Sequence, residues 1–153
     1  MSGCTRIGLI GLGVALYCSS ACQSGPGRKG DPPAIVGTWL VKSPEAPFPY
    51  HMFVFHSDGT LEQSNPDAGD PNTSDSNGMG AWTAAAGGIK GKFVEVTADR
   101  GTRRFVSRGE ISFVIQVNGD AFHGTASAVF FDAEGRQSKG PIAATLEGRR
   151  VVP

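Results

Sequence analysis

The chain has 153 residues, and its 14 basic side chains are balanced by 14 acidic ones. A net charge of zero gives no electrostatic footprint for nucleic acid, so we expect no nucleic-acid partner. The length suits one domain. All three cysteines lie within the first 22 residues, so no disulfide can form within the rest of the chain.

The first segment has the three parts of a secretory signal peptide. Arg6 supplies a positive charge, residues 7–17 are uncharged and mostly apolar, and three small residues follow at 19–21. The apolar run is too short to span a hydrocarbon core, which needs about 20 residues. We therefore expect residues 1–21 to be removed on export, which takes Arg6 away and leaves a net charge of about −1.

Cys22 and the residues before it resemble a bacterial lipobox, whose pattern is an aliphatic residue, two small residues and Cys. Ser20, Ala21 and Cys22 match, while Ser19 stands where the family usually has Leu. The resemblance implies palmitate-type acyl chains on Cys22 as a lipid anchor, in which each buried CH₂ contributes about 0.8 kcal/mol. Gln23, in place of Asp, implies an outer-membrane lipoprotein facing the periplasm or the surface. The alternative is an ordinary signal peptide cut after Ala21.

Residues 22–33 follow as a stretch rich in Gly, Pro and polar side chains, which is typical of a flexible tether. The folded domain should therefore occupy residues 34–153. Within it, short β-rich runs alternate with Gly, Asp and Asn clusters, and no window has the apolar spacing of a helix. Eight strands are predicted, at residues 35–42, 50–56, 60–64, 80–84, 92–98, 109–117, 121–131 and 137–148.

The connections between these strands are mostly short. Gly59, Gly119 and Gly135 each occupy a position where a hairpin needs positive φ. Short links between consecutive strands indicate an antiparallel meander, and a meander of about eight strands can close on itself. The sequence therefore predicts an all-β, up-and-down barrel.

One face of the predicted strand at 121–131 is apolar but small, with Gly124, Ala126 and Ala128 between Phe122 and Phe130. Small inward side chains would leave room in an eight-stranded barrel for one ligand. Equally, they could accommodate large neighbours such as Trp39 and Trp82. The sequence leaves both interpretations open.

Gly37-Thr38-Trp39 in the first strand resembles the Gly-x-Trp motif of the lipocalins and the wider calycin group. In that family the Trp closes one end of the barrel, and an Arg near the last strand packs over its ring. The resemblance implies that Trp39 and Arg149 close this barrel, with Arg150 as the neighbouring candidate. The runs at residues 53–60 and 78–82 also look like small bacterial calycin-like proteins of unassigned role.

The sequence gives little indication of a metal site or of a catalytic site. His51 and His56 are five residues apart on one predicted strand, so they point to opposite faces and cannot share a metal ion. Asp67, Asp70 and Asp75 lack the spacing of a Ca²⁺ loop and indicate a polar loop or lid. We assign no metal site, no cofactor and no catalytic residue.

Arginines at positions 100, 103, 104 and 108 cluster around one predicted turn. They indicate either a solvated edge that discourages strand pairing or a site for an anionic head group at the barrel mouth.

Three classes of function stay open, and binding ranks first. A membrane-tethered barrel would hold a small hydrophobic or amphipathic ligand, lined by Trp39, Trp82, Phe113, His123 and Phe130. A filled barrel with a structural or interaction role, through protein partners that the sequence does not name, ranks second. A cyclase or isomerase-type enzyme ranks third, with His123 or Glu95 as its first candidates.

Overall fold

The computed structural model describes residues 34–64 and 70–153, and every regular element in them is a β-strand. The predicted signal peptide, the predicted lipidation site at Cys22 and the predicted tether lie outside the described residues, as do loop residues 65–69. The strands are β1 (Gly37–Lys42), β2 (Tyr50–Phe55), β3 (Thr60–Ser64), β4 (Thr73–Asp75), β5 (Gly78–Ala85), β6 (Gly88–Asp99), β7 (Phe105–Asn118), β8 (Ala121–Asp132) and β9 (Gln137–Arg150).

Eight of these strands form a closed antiparallel barrel. The sheet runs in the order β6-β5-β3-β2-β1-β9-β8-β7, and β7 pairs again with β6 to close it. Strand β4 is an addition that pairs with the last residues of β6, from Thr97 to Asp99. The predicted all-β, eight-stranded, up-and-down barrel is therefore confirmed.

The hairpins form where the glycines permit them. Gly59, Gly119 and Gly135 have φ values of 89°, 59° and 80°. Residues with a Cβ rarely adopt this region, so these glycines fix where the chain reverses.

Connections between strands lie at two ends of the barrel, which the antiparallel pairing defines. The Trp39 end carries residues 34–36 and the turns at 56–59, 86–87 and 119–120. The opposite end, which we call the mouth, carries residues 43–49, 100–104 and 133–136 together with β4.

Aromatic side chains pack the interior from the Trp39 end to the middle of the barrel. The rings of Trp39 and Phe122 lie 5.1 Å apart, and Phe53 meets Phe93 edge to face at 5.7 Å. Such pairs contribute about 0.5–1.5 kcal/mol each beyond their buried area. The buried core consists of Ile35, Trp39, Val41, Phe53, Phe55, Leu61, Trp82, Ile89, Phe93, Phe113, Ile115, Phe122 and Leu146.

Candidate ligand site

The Trp39 end is closed by a stacked arginine. Trp39 is fully buried, and its Nε1 donates a hydrogen bond to Ile35 O at 2.8 Å. Arg150 lies over the ring, with its Cζ 4.2 Å from the centroid. The same guanidinium donates to Val36 O, to Ala34 O and to the carboxylate of Asp120.

This closure corrects the assignment of Arg149. Arg149 pairs with Leu40 in the β1–β9 ladder, and both side chains are exposed on the outer face of the barrel. Arg150, one residue further, pairs with Trp39 and shares its inward face. Side chains alternate along a strand, so only one of two adjacent arginines can cover the ring.

Trp82 and Phe113, both predicted to line a ligand, belong to the packed core. Each is buried, and Trp82 Nε1 donates to His56 O at 3.1 Å. The ring of Phe55 contacts both, at 6.1 Å from each centroid. Together with Trp39, they form the floor beneath the mouth half of the barrel.

Small apolar residues line β8 and β9 in the mouth half. Ala126 pairs with the buried Phe113 on one side and with Ala144 on the other, so these positions face inward. One step nearer the mouth, Ala128 pairs with Ile111 and Ile142. All except Phe113 are only half-buried, in contrast to the aromatic core below them. This part of the interior therefore has an apolar wall that remains accessible.

Glu95 and Phe130 both pack against Gly109 near the mouth. Gly109 pairs with Glu95 on β6 and with Phe130 on β8. A Cβ at Gly109 would lie 3.0 Å from Glu95 Oε1 and 3.0 Å from Phe130 Cε1. Burial raises the pKa of Glu95 to about 7, and the negative charge of Asp75 adds to the shift.

A second polar group, centred on Gln63, lies on β3, which β5 separates from β6. Gln63 is 2% exposed, and its side chain is fully engaged in hydrogen bonds. Its Nε2 contacts His51 Nδ1 at 3.1 Å and donates to Ser64 O, and its Oε1 accepts from the amide of Gly78 at 3.2 Å. Burial lowers the pKa of His51, which favours the neutral ring. His51 thus faces inward on β2.

Strand β4 borders the mouth next to Glu95. Asp75 Oδ1 accepts a hydrogen bond from Thr97 Oγ1 at 2.6 Å. Arg100 Nε donates to Asp70 O and to Thr73 O, which ties β4 to the β6–β7 turn. Arg100 therefore supports the backbone beside the mouth.

His123 does not line the interior. It is exposed on β8 and borders an outer groove of about 540 Å³ with Leu40, Tyr50, Glu147 and Arg149. Phe122, its neighbour, takes the inward position. The sequence had placed the apolar face inside, and the structure agrees with that arrangement, so His123 is not a ligand contact within the barrel.

The remaining candidates are dispersed. Arg108 lies on the outer face, where its Cζ is 4.3 Å from the Phe131 centroid and its Nε donates to Glu110 at 3.0 Å. Arg103 and Arg104 are exposed in the turn. Within residues 34–64 and 70–153, no group of three His, Cys, Asp or Glu side chains could hold a metal ion.

Sequence reasoning missed Gln63 as an inward residue of the mouth half, and it placed Asp75 in a polar loop or lid without its pairing to β6. Gln63 is part of an alternating strand, in which every second residue points inward, so its position was accessible from the sequence once the face was fixed. The approach of Asp75 to β6 depends on the β4 pairing, for which no local pattern exists.

Comparison with family models, curated proteins and solved structures finds no match to this chain. In the described part of the chain, no helix is long and apolar enough to cross a membrane.

Proposed function

We propose that this protein is a membrane-anchored lipoprotein whose barrel binds a small hydrophobic or amphipathic ligand in its mouth half. The observation that carries the proposal is the contrast along the barrel axis. Aromatic rings pack the interior toward Trp39, whereas Ala126, Ala128, Ile142 and Ala144 face inward at the mouth and stay half-exposed. An apolar concavity with a few polar groups is the usual form of a small-molecule site.

The polar residues at the mouth fit an amphipathic ligand. An apolar chain would contact the alanine wall above Phe113, and a head group would lie near Glu95 and Phe130. Each buried CH₂ of such a chain would contribute about 0.8 kcal/mol.

Native mass spectrometry of the chain purified gently from its own host tests the proposal. We expect a discrete added mass that is released on denaturation and is soluble in organic solvent. A clean apo mass, together with no binding of added apolar compounds, would contradict it.

A second candidate, a filled barrel that serves a structural or interaction role, is favoured by one observation. The floor of the barrel is densely packed, with Phe113 in contact with Phe53, Phe55 and Phe93. The apo result above would favour this role and direct attention to protein partners.

The membrane anchor is proposed from the lipobox resemblance around Cys22. Metabolic labelling with a palmitate analogue tests it, with Cys22→Ala as the variant and Cys18→Ala as the matched control. We expect label in the wild type and in the Cys18 variant, and none in the Cys22 variant. A wild-type chain without label would contradict the anchor.

A further inference from the structure

We propose that the groove on the outer face of the barrel binds an amine-bearing phosphate ester, a zwitterion whose phosphate and primary ammonium groups are joined by a short linker. This site is separate from the proposed interior site, because it lies on the opposite face of the sheet. Its volume of about 540 Å³ falls within the range of small-molecule sites. Strands β1, β2, β8 and β9 line it with side chains that include Leu40, Lys42, Tyr50, His123, Glu147 and Arg149.

The strand register places three polar side chains in one row across the groove. Lys42 on β1 is directly opposite Glu147 on β9, and Glu147 is directly opposite His123 on β8. Directly opposite residues have Cβ atoms about 4.5–5.5 Å apart. Arg149 follows Glu147 by two residues on the same face, about 7 Å further along the strand. Two cations, a carboxylate and an imidazole are therefore held close together on rigid strands.

These side chains do not neutralise one another. Within residues 34–64 and 70–153, no side-chain hydrogen bond or ion pair is made by Lys42, His123, Glu147 or Arg149.

Charges elsewhere on the outer face do pair, which sets the groove apart from an ordinary charged surface. On β6 and β7, Glu110 accepts hydrogen bonds from both Lys92 and Arg108. Lys42 and Glu147 remain separate although they are direct ladder partners. A ligand in the groove would therefore meet these charges without first breaking an ion pair between described residues.

The distribution of charge defines the ligand. Lys42 and Arg149 are positive and Glu147 is negative, while the nearby carboxylate of Asp120 is already held by Arg150. A phosphate monoester carries a charge of about −1.5 to −2 and three acceptor oxygens, which suits a guanidinium and an ammonium together. A simple phosphate would be repelled by Glu147, whereas a primary ammonium on the ligand would donate hydrogen bonds to it.

Apolar side chains adjoin both cations. Tyr50 is opposite Lys42 across the β1–β2 ladder and is 52% exposed, and Leu40 is opposite Arg149 and is 43% exposed. They would contact the organic part of the ligand. That ligand could be a free phosphate ester or the head group of a phospholipid such as phosphatidylethanolamine, and the two share the same phosphate and amine.

Titrations followed by ¹H–¹⁵N NMR spectra test the inference, because they detect weak binding and locate it. The protein is the exported chain with Cys22→Ser, which carries no lipid and needs no detergent. The probes are phosphoethanolamine, phosphocholine, inorganic phosphate and ethanolamine. We expect phosphoethanolamine to shift the amide signals of residues 40–42, 121–123 and 147–149.

Phosphoethanolamine should also bind at least about fivefold more tightly than each of the other three probes, because it alone satisfies both signs of charge through hydrogen bonds. Phosphocholine is the closest control, since its trimethylated nitrogen has no N–H group to donate to Glu147.

Substitutions separate the two parts of the recognition. Arg149→Ala should weaken the binding of phosphoethanolamine and of phosphate alike by about fivefold, as expected for an ion pair at an open surface. Glu147→Gln should abolish the preference for phosphoethanolamine over phosphate, since a neutral amide neither repels phosphate nor pairs with ammonium. The matched controls remove exposed charges elsewhere and should leave binding unchanged: Arg104→Ala in the β6–β7 turn and Glu62→Gln on β3.

Vesicles distinguish the two sources of the ligand. Sedimentation with phosphatidylcholine vesicles that contain phosphatidylethanolamine, but not with phosphatidylcholine alone, would identify a lipid head group, provided that Arg149→Ala weakens it. Binding of phosphoethanolamine in solution without sedimentation would identify a free phosphate ester. Either result supports the groove as a site for this chemistry.

Three outcomes would overturn the proposal: equal affinity for phosphoethanolamine and phosphocholine, a preference that survives Glu147→Gln, or no shift at the groove residues. Binding of 1-dodecanol, which reports the proposed interior site, should be the same in the wild type and in both groove variants. Failure of the groove proposal is therefore distinguishable from failure of the proposed function.

Discussion

Arg150 contacts three parts of the Trp39 end at once: the Trp39 ring, the backbone before β1, and Asp120 in the β7–β8 turn. Its side chain is 20% exposed, so these contacts are partly shielded from water. A shielded guanidinium that combines ring stacking with hydrogen bonds contributes more than an exposed ion pair.

We predict that Arg150→Ala lowers the free energy of unfolding by about 2–3 kcal/mol, because it removes both the stacking and the hydrogen bonds. Arg149→Ala is the matched control and should change it by less than about 0.5 kcal/mol, because that side chain lies on the outer face. Urea unfolding of both variants measures the difference. Equal losses would contradict the assignment of Arg150.

The choice between these two arginines could not be made from the sequence. Both follow the predicted last strand, and adjacent residues of a strand point to opposite faces. Only the register, which places Trp39 opposite Arg150, decides which of them reaches the ring. The Gly-x-Trp resemblance predicted that an arginine would stack on the Trp39 ring, and the β1–β9 pairing shows that this arginine is Arg150.

Glu95 gives the barrel a pH-dependent stability whose sign follows from its pKa. The folded chain holds the proton of Glu95 up to about pH 7, while an ordinary carboxyl group has a value of 4.5. The folded state therefore binds more protons between these values, and the contribution of Glu95 to stability falls as the pH rises through this window.

We predict that Glu95→Gln removes this pH-dependent loss of stability. As the pH rises from 4.5 to 8, the free energy of unfolding of the variant should increase by on the order of 2 kcal/mol relative to that of the wild type. Thermal or urea unfolding across this range, with Glu62→Gln as control, measures it. The opposing effect of His51, whose pKa is lowered, is common to both proteins and cancels in the difference. Parallel pH profiles for wild type and variant would contradict the burial of this carboxyl group.

At the scale of the strands, several glycines permit large rings to pack inside the barrel. Gly91 pairs with Phe113 across the β6–β7 ladder, and a Cβ there would lie 2.3 Å from Phe113 Cζ. Gly148 pairs with Phe122 across the β8–β9 ladder, and a Cβ there would lie 2.1 Å from Phe122 Cε1. The glycine in each pair makes room for the ring on the next strand.

We predict that Gly91→Ala destabilises the fold by about 1–3 kcal/mol, because Phe113 must move within a packed core. Gly101→Ala is the control, since its Cβ would meet only Asp99 Oδ1 at an ordinary 3.5 Å. Urea unfolding compares the two. If Gly91→Ala were as stable as the control, the ring would have space that the structure does not show.

Strand β4 marks the limit of prediction at this scale. The eight barrel strands have β-rich composition and turn residues between them, and each was predicted with ends within a few residues of those observed. Strand β4 has three polar residues, and it is held by Asp75 on Thr97 and by Arg100 on the Thr73 carbonyl. These contacts join residues that are distant in the sequence, so no local sequence pattern predicts them.

For the whole molecule, alternation and short turns were sufficient to predict a closed barrel. They could not predict how far its interior is filled, because that depends on the register that stacks Phe113, Ala126 and Ala144 side by side. The resulting gradient, from aromatic rings near Trp39 to half-exposed alanines at the mouth, underlies the proposed function.

The most direct test of that function fills the mouth half from within. Ala128 faces inward beside Ile111, whereas Ala143 on β9 faces outward. We predict that Ala128→Phe abolishes or weakens 1-dodecanol binding at least about tenfold, because its ring occupies space that the ligand requires, and that Ala143→Phe leaves binding intact. Calorimetric titration of the two variants and the wild type decides the matter. Full binding by Ala128→Phe would contradict a ligand site in this half of the barrel.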